Sequence, residues 1–105
     1  MLFKMTKINI SDKNLKILTD IFDSYCPNAE IWAYGSRVNG DSHAGSDLDL
    51  TVKSFNSSEP LLYELKELIR ESNIPFLVDI NEFDYLPDYF KSEILKGYAV
   101  IYPKK

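Results

Sequence analysis

The stretch GSRVNGDSHAGSDLDL, residues 35–50, joins a Gly-Ser pair, a polar loop and two alternating aspartates. Residues 47–53, DLDLTVK, alternate between polar and apolar types, which predicts a β-strand. Side chains two residues apart share one face of a strand, so Asp47, Asp49 and Thr51 face away from the apolar core. Neighbouring carboxylates repel each other. Taken alone, the pattern fits a solvated strand face as well as it fits a functional site.

A third aspartate favours the functional interpretation. Asp79 interrupts FLVDI, residues 76–80, which reads as an apolar strand where an unpaired carboxylate is costly. If this strand lies beside residues 47–53, three carboxylates surround one position. Hard divalent cations prefer oxygen ligands, and Mg²⁺ commonly takes one or two carboxylates together with substrate phosphates. We therefore predict that Asp47, Asp49 and Asp79 form a metal site.

The Gly-Ser pair supplies the second half of this candidate site. It ends a predicted strand over residues 29–35, AEIWAYG, where glycine permits a sharp turn and the close approach of a ligand. A helical turn that begins there would present backbone N–H groups to an anion, and Ser36 would add a hydroxyl donor. Arg37 has two open interpretations, as a phosphate-neutralising cation or as an exposed loop arginine. We expect His43 to be a solvated loop residue.

The rest of the chain alternates helical and extended patterns. The sequence predicts a helix over 12–25 capped by Ser11, a helix over 60–72 capped by Ser58, a helix over 87–96 and a strand over 98–102. The predicted core faces of the first two helices are Leu15, Leu18, Phe22 and Tyr25, and Leu61, Leu65, Leu68 and Ile69. This order favours the α/β (α+β) class, with a small mixed β-sheet flanked by helices in a single domain over residues 1–105.

Composition excludes several classes of protein. The 105 residues carry a net charge of −4, which argues against non-specific nucleic-acid binding and predicts no direct contact with nucleic acid. No apolar run reaches the roughly 20 residues of a membrane span, and the first residues, MLFKMTK, lack the apolar region of a signal peptide. Cys26 is the only cysteine, so we expect a structural thiol and a cytoplasmic location.

The combined motif resembles a known family. Gly35-Ser36, ten intervening residues, Asp47-Leu48-Asp49 and a later Asp79 resemble the minimal nucleotidyltransferase (MNT) branch of the DNA polymerase beta-like superfamily. The resemblance covers nearly the whole chain, from the first helix to the last strand. It implies a nucleotidyltransferase-like fold, and the minimal members are often antitoxins paired with HEPN-domain toxins.

The resemblance also implies a role for each matching residue. Asp47 and Asp49 would bind two Mg²⁺ ions, for which Mn²⁺ can substitute. Asp79 would hold the catalytic ion and help to activate the acceptor hydroxyl. The residues implied in nucleotide binding are Gly35, Ser36, Arg37 and Ser46.

One part of the motif departs from the family pattern. Many minimal members read G-S-x-A-R-G, whereas this chain has Val38 and Asn39 at the A-R positions and retains Arg37 and Gly40. We expect a positive charge on the phosphate side to be missing. The departure bears on the strength of the activity and leaves the predicted metal site unaffected.

The family leads to two main hypotheses. In the first, the chain is an enzyme that transfers AMP from ATP to a protein hydroxyl, a tyrosine of a HEPN toxin, and so acts as an antitoxin. In the second, the same fold neutralises its partner by complex formation with weak or absent catalysis. A plainer third possibility is an NTP- or metal-binding domain without a toxin partner. Because the sequence ends soon after the last strand, we expect a partner protein or a second copy to complete the site in a homo- or hetero-oligomer.

Overall fold

The computed structural model of the chain describes residues 4–5, 7–43 and 45–104. Its strands are β1 (Lys4–Met5), β2 (Glu30–Tyr34), β3 (Leu48–Ser54), β4 (Val78–Glu82) and β5 (Tyr98–Tyr102). Its α-helices are α1 (Asp12–Tyr25), α2 (Ser36–Asn39), α3 (Leu62–Arg70) and α4 (Asp88–Leu95), and a 3-10 turn covers Phe83–Tyr85. Within these ranges no helix is long and apolar enough to span a bilayer. Ala44, part of the predicted polar loop, lies outside the described residues.

The described strands form one mixed sheet in the order β1-β5-β2-β3-β4. β3 runs parallel to β4, and β1 runs parallel to β5, while β2 is antiparallel to both of its neighbours. The predicted class, a small mixed sheet flanked by helices, is confirmed. Because β4 closes the order, one side of this strand is an edge of the sheet.

Helix α1 follows the prediction closely. The Ser11 hydroxyl accepts a hydrogen bond from the Asn14 amide at 3.2 Å and so caps the helix. Leu18 and Phe22 are fully buried against the sheet. Cys26, directly after the helix, is also buried, and burial raises the pKa of its thiol to about 11. A thiol in this state is a poor nucleophile, so the structural interpretation of the cysteine is confirmed.

Helix α3 begins later than predicted. It starts at Leu62, and the N-cap position is held by Leu61, so the prediction of a helix from residue 60 capped by Ser58 is wrong. The amide of Leu61 donates to the hydroxyl of Tyr25 at 2.8 Å, and this contact ties the start of α3 to α1. Leu65 is buried as expected, whereas Leu61 is 46% exposed.

The predicted core face of α3 is half right. Leu65 and Ile69, four residues apart, are both buried against the sheet. Leu68 is 39% exposed, contrary to the prediction. A side chain next to Ile69 points about 100° away from it around the helix, toward the solvent-facing border.

The sheet carries a different cluster on each face. One face packs under α1 and α3 and is built from aliphatic side chains such as Ile31, Leu50 and Ile80. The opposite face is covered by α4 and the 3-10 turn, and it is aromatic. Its members are Trp32, Tyr34, Phe83 and Ile94, with Phe90, Tyr98 and Val100 packed against them. The polar residues of β3 lie on this second face, since they alternate with the aliphatic ones.

Candidate active site

The Gly-Ser pair and the alternating aspartates meet where β2 ends. Tyr34, the last residue of β2, is the register partner of Asp49 on the antiparallel strand β3. The next residue, Gly35, has φ +80°, a value that L side chains rarely adopt. A Cβ placed on Gly35 would lie 2.6 Å from Oδ2 of Asp49. The position therefore requires glycine for its backbone angle and for the space beneath the Asp49 carboxylate.

The third aspartate lies directly beside the second. Asp49 and Asp79 are register partners on the parallel strands β3 and β4, so their side chains project from the same face. Asp47 lies just before β3 and is exposed. Asp49 and Asp79 therefore share one face as predicted, and the place of Asp47 on that face stays a prediction. The burial assumed for Asp79 was wrong: this residue is exposed because β4 is an edge strand.

The alternative of a simply solvated strand face does not hold along the whole of β3. Thr51, which shares the face of Asp49, is fully buried beneath the aromatic cluster. Asp49 itself is half-buried, and its carboxyl pKa is raised by burial and then by the charges of Asp79 and Asp47. A raised pKa is the expected result when acids gather without a compensating cation. The cluster therefore carries an electrostatic cost that a bound cation would relieve.

These residues fit a hard divalent cation in their chemistry. All three side chains offer carboxylate oxygens, and the Gly35 backbone leaves open the space at Asp49 Oδ2 that a Cβ would occupy. Among the described residues, however, no group of three or more His, Cys, Asp or Glu side chains is gathered closely enough to coordinate one ion. Asp47, Asp49 and Asp79 thus form a row of interacting carboxylates, called here the acidic row, and not a closed metal-coordination site.

Helix α2 is the single turn that the sequence predicts after Gly35. The amides of Val38 and Asn39 both donate to the Gly35 carbonyl at 3.0 Å, which closes the turn. Ser36 is the first residue of the turn and is half-buried beside the acidic row. The structure therefore brings the Gly-Ser pair next to the aspartates, and the nucleotide contact expected of Ser36 stays a prediction.

Arg37 lies inside the protein. It is 4% exposed, so the interpretation as an exposed loop arginine is wrong. Its Nε and Nη2 donate to the Ser46 carbonyl at 2.9 and 2.7 Å, and its Nη1 donates to the Asn9 carbonyl at 2.7 Å. The guanidinium also stacks 4.0 Å from the centre of the Phe76 ring. Arg37 therefore ties the loop before β3 to the segment before α1, and its contact with nucleotide stays a prediction.

Ser46 organises the same loop. Besides accepting from Arg37 through its carbonyl, it accepts a hydrogen bond from the His43 amide at its hydroxyl, at 3.0 Å. His43 is exposed as predicted. These contacts hold the loop that leads through Asp47 to the start of β3. The predicted contact of Ser46 with nucleotide is not tested by them.

Comparison with known proteins decides the family. Residues 16–105 match the family described as "Polymerase beta, Nucleotidyltransferase". The chain belongs to this nucleotidyltransferase family. The resemblance seen in the sequence motif is thereby confirmed, and the chain is a nucleotidyltransferase.

Two relatives extend this finding. The nucleotidyltransferase is 35% identical, over 103 residues, to a Haemophilus influenzae protein named "Probable protein adenylyltransferase MntA", and the match covers 94% of this chain and 88% of the relative. It also superposes on a solved structure titled "Crystal structure of the toxin-antitoxin with AMP-PNP", with a TM-score of 0.66 and 18% identity. That superposition covers 88% of this chain and 75% of the other, and it shows a shared fold.

Sequence reasoning missed two residues that lie beside the acidic row. Asn81 Nδ2 donates to the hydroxyl of Tyr34 at 3.0 Å, directly beside the acidic row. Burial raises the pKa of Tyr34, and the charges of Asp49 and Asp79 raise it further. A signal existed in the sequence, because Asn81 follows Asp79 by two residues and must share its face. Tyr34 immediately precedes the Gly-Ser pair but reads only as a strand residue.

Proposed function

We propose that this nucleotidyltransferase is a protein adenylyltransferase of the MNT type. It transfers AMP from ATP to a hydroxyl of a partner protein, a tyrosine of a HEPN-domain toxin, and it acts as an antitoxin by that modification. One observation carries the proposal: the Gly35 backbone lies against the Asp49 carboxylate, with Asp79 beside it on the next strand. This arrangement places the Gly35-Ser36 turn, a candidate binding site for the triphosphate, next to the carboxylates that are candidate metal ligands.

The relatives support the same reading. The Haemophilus influenzae relative is named a probable protein adenylyltransferase, and the structural neighbour is a toxin–antitoxin complex with AMP-PNP. A net charge of −4 fits a protein partner better than a nucleic-acid one. We infer a hetero-oligomer with the toxin in the cytoplasm.

Each side chain then has a part in the transfer. Gly35 and Ser36 hold the triphosphate, and Asp47, Asp49 and Asp79 hold Mg²⁺, for which Mn²⁺ can substitute. Two such ions would neutralise the phosphate charge and support in-line displacement at phosphorus. The acceptor oxygen would form a bond to the α-phosphorus, its proton would pass to the Asp79 carboxylate, and the bond from the α-phosphorus to the pyrophosphate leaving group would break. Asp79 accepts the hydrogen bond of the acceptor hydroxyl.

The open edge of the sheet gives the acceptor a path to Asp79. A groove of about 570 Å³ runs outside β4 and includes Asp79 in its wall. The wall is otherwise mostly apolar, and Leu77 beside it is 73% exposed. Because Asp79 is exposed on the edge strand, a hydroxyl carried on a protein segment can approach it without displacing the aromatic cluster. ATP occupies the Gly35 side of the acidic row.

A second function is favoured by one feature. Asn39 stands where many minimal members carry arginine, and it lies exposed at the end of α2. Without that cation the triphosphate is held less firmly. In this alternative the chain is a weakly catalytic or non-catalytic antitoxin that neutralises its partner by complex formation alone.

The deciding experiment is transfer to the partner. The chain and a HEPN-domain protein encoded beside it are purified together and incubated with ATP and Mg²⁺, and the intact mass of the partner is measured. We expect the partner to gain the mass of one or more AMP groups on tyrosine, and a variant carrying Asp47→Asn and Asp49→Asn to give none. A stable complex whose partner stays unmodified would support the alternative and contradict the proposal.

A further inference from the structure

A second polar row lies behind the acidic one on the same face of the sheet. Thr51 and Asn81 are register partners on β3 and β4, two residues beyond the partners Asp49 and Asp79. Since side chains two residues apart share a face, both rows look toward the aromatic cluster. The Gly-Ser and aspartate motif of the family does not include Thr51 or Asn81.

Tyr34 joins the two rows. Its hydroxyl lies 3.0 Å from Nδ2 of Asn81, although β2 and β4 are separated by β3. Adjacent strands lie about 4.8 Å apart, so the tyrosine side chain must cross β3 to make this contact. It crosses between the acidic row and Thr51. The crossing carries the phenol past Asp49, its register partner on β3, and the charges of Asp49 and Asp79 raise the pKa of the phenol.

The phenol is held in one orientation. Tyr34 is 9% exposed, and its ring packs edge-on against Phe90 of α4 with centroids 5.9 Å apart. The Asn81 amide fills one acceptor site of the hydroxyl oxygen, so the O–H of the phenol is available as a donor. The negatively charged groups that face this hydroxyl are Asp49 and Asp79.

The polar row is not explained by packing. Oγ1 of Thr51 and Oδ1 of Asn81 are both buried and make no hydrogen bond within the described part of the chain. A buried polar atom without a hydrogen bond destabilises the fold, and apolar side chains of the same shape would avoid that cost. A native core keeps unsatisfied polar groups of this kind chiefly where function needs them.

We propose that Tyr34 and Asn81 are a positioning pair for the acidic row. The Asn81 amide fixes the phenol of Tyr34 beside Asp49, its register partner, and the phenol O–H donates to the Asp49 carboxylate when the nucleotide site is occupied, which keeps that carboxylate oriented toward the nucleotide. The inference rests on the proposed function, because it assigns these two residues to the same metal and transfer site. It adds residues that the Gly-Ser and aspartate motif does not contain.

The test compares two tyrosines of one face. Tyr34→Phe removes the hydroxyl and keeps the ring against Phe90. The matched control is Tyr98→Phe, because Tyr98 is the register partner of Tyr34 on β5 but stacks on Trp32 with centroids 4.1 Å apart. For each folded variant we measure Mn²⁺ affinity by calorimetry, and kcat and KM for AMP transfer to the partner.

We expect Tyr34→Phe to weaken Mn²⁺ binding or lower kcat by about 10–100-fold, as loss of a group that orients a metal ligand commonly does. Tyr98→Phe should match the wild type. Asn81→Leu should resemble Tyr34→Phe, and the double variant should be no worse than either single variant, because the two residues act as one unit. A purely structural role would lower the melting temperature and leave the affinity and kcat of the folded protein unchanged.

The outcomes separate the two proposals. If Tyr34→Phe equals Tyr98→Phe in both measurements while Asp49→Asn abolishes Mn²⁺ binding, the positioning pair is overturned and the proposed function stands. If the wild type neither binds Mn²⁺ nor transfers AMP, both proposals are overturned together.

Discussion

The two faces of the sheet differ in whether their residues stabilise or destabilise the fold. On the face beneath α1 and α3, side chains such as Leu50 are fully buried among other aliphatic groups. On the face beneath α4, Asp49 has a raised pKa, Gly35 has a positive φ, and within the described part of the chain one side-chain oxygen each of Thr51 and Asn81 is buried without a hydrogen bond. The first face stabilises the protein, whereas the second gives up stability. Residues retained at such a cost mark the functional side of the domain.

The largest expected effect on stability belongs to the aliphatic face. Leu50→Ala removes a fully buried side chain and leaves a cavity, which commonly costs about 2–5 kcal/mol. Urea denaturation monitored by circular dichroism measures the change. AMP transfer by the fraction that remains folded should be unaffected, since Leu50 points away from the acidic row. A loss below about 1 kcal/mol would contradict the contrast between the faces.

Asp79→Asn should show the opposite pattern. Asp79 is exposed, so its replacement leaves the free energy of unfolding nearly unchanged. Transfer should fall about 10²–10³-fold, as is common when one transition-state interaction is lost. Nucleotide affinity should be largely retained, because Gly35, Ser36 and the other two aspartates still hold the triphosphate. Transfer at the wild-type rate in a mass assay with titrated ATP would show that Asp79 is not part of the chemistry.

The two glycines with positive φ test whether the Gly35 turn is built for Asp49. Gly40→Ala places a side chain in the left-handed helical region, which costs on the order of 1–2 kcal/mol, whereas the Gly35 backbone, at φ +80° and ψ −153°, lies in a region that is essentially restricted to glycine. Only at Gly35 would the new Cβ also meet the Asp49 carboxylate, at 2.6 Å, whereas nothing lies within 4 Å at Gly40. We expect Gly35→Ala to lose more stability and most of its ATP binding, measured by thermal unfolding and calorimetry. Equal losses for the two variants would remove the steric argument.

The smallest expected effect is a pH dependence at Asp49. A raised pKa means that the folded state binds the proton of Asp49 more tightly than the unfolded state does. Without metal, stability should therefore fall as pH rises from the ordinary aspartate pKa, about 4, through the raised value. Asp49→Asn should remove this decline and melt higher than the wild type at neutral pH, while Asp41→Asn, at an exposed loop position, should keep it. If the stability of the metal-free wild type did not fall over this pH range, the raised pKa assigned to Asp49 would be contradicted.

Local patterns were enough to predict the acidic row and the glycine beside it. The alternation around Asp47 and Asp49 predicts which face of the strand these residues occupy. Asp79 joins them because its strand, β4, lies parallel to β3 and next to it. The features that the sequence did not predict depend on contacts between residues that are far apart along the chain. The start of α3 is tied to the Tyr25 hydroxyl, which lies 36 residues away from Leu61 along the chain.

Two further misses have the same origin. The burial of Arg37 depends on the carbonyls of Asn9 and Ser46, which no local pattern brings together. The bond between Tyr34 and Asn81 spans 47 residues and crosses an intervening strand. Polar residues of this kind are recognisable only when the register of three strands is known. Spacing in the sequence therefore identifies the acids, and the fold identifies the groups that hold them.

The most direct test of the account is the response of thermal stability to Mn²⁺. If the acids of the second face are destabilising because no divalent cation neutralises them, Mn²⁺ should bind the folded wild type and not the unfolded chain. At a Mn²⁺ concentration of a hundred times the Kd, this binding should stabilise the fold by about 2.7 kcal/mol. The variant carrying Asp47→Asn and Asp49→Asn should melt at the same temperature with and without Mn²⁺. Equal shifts in the two proteins, or no shift in the wild type, would contradict the claim that the acidic row is a metal site.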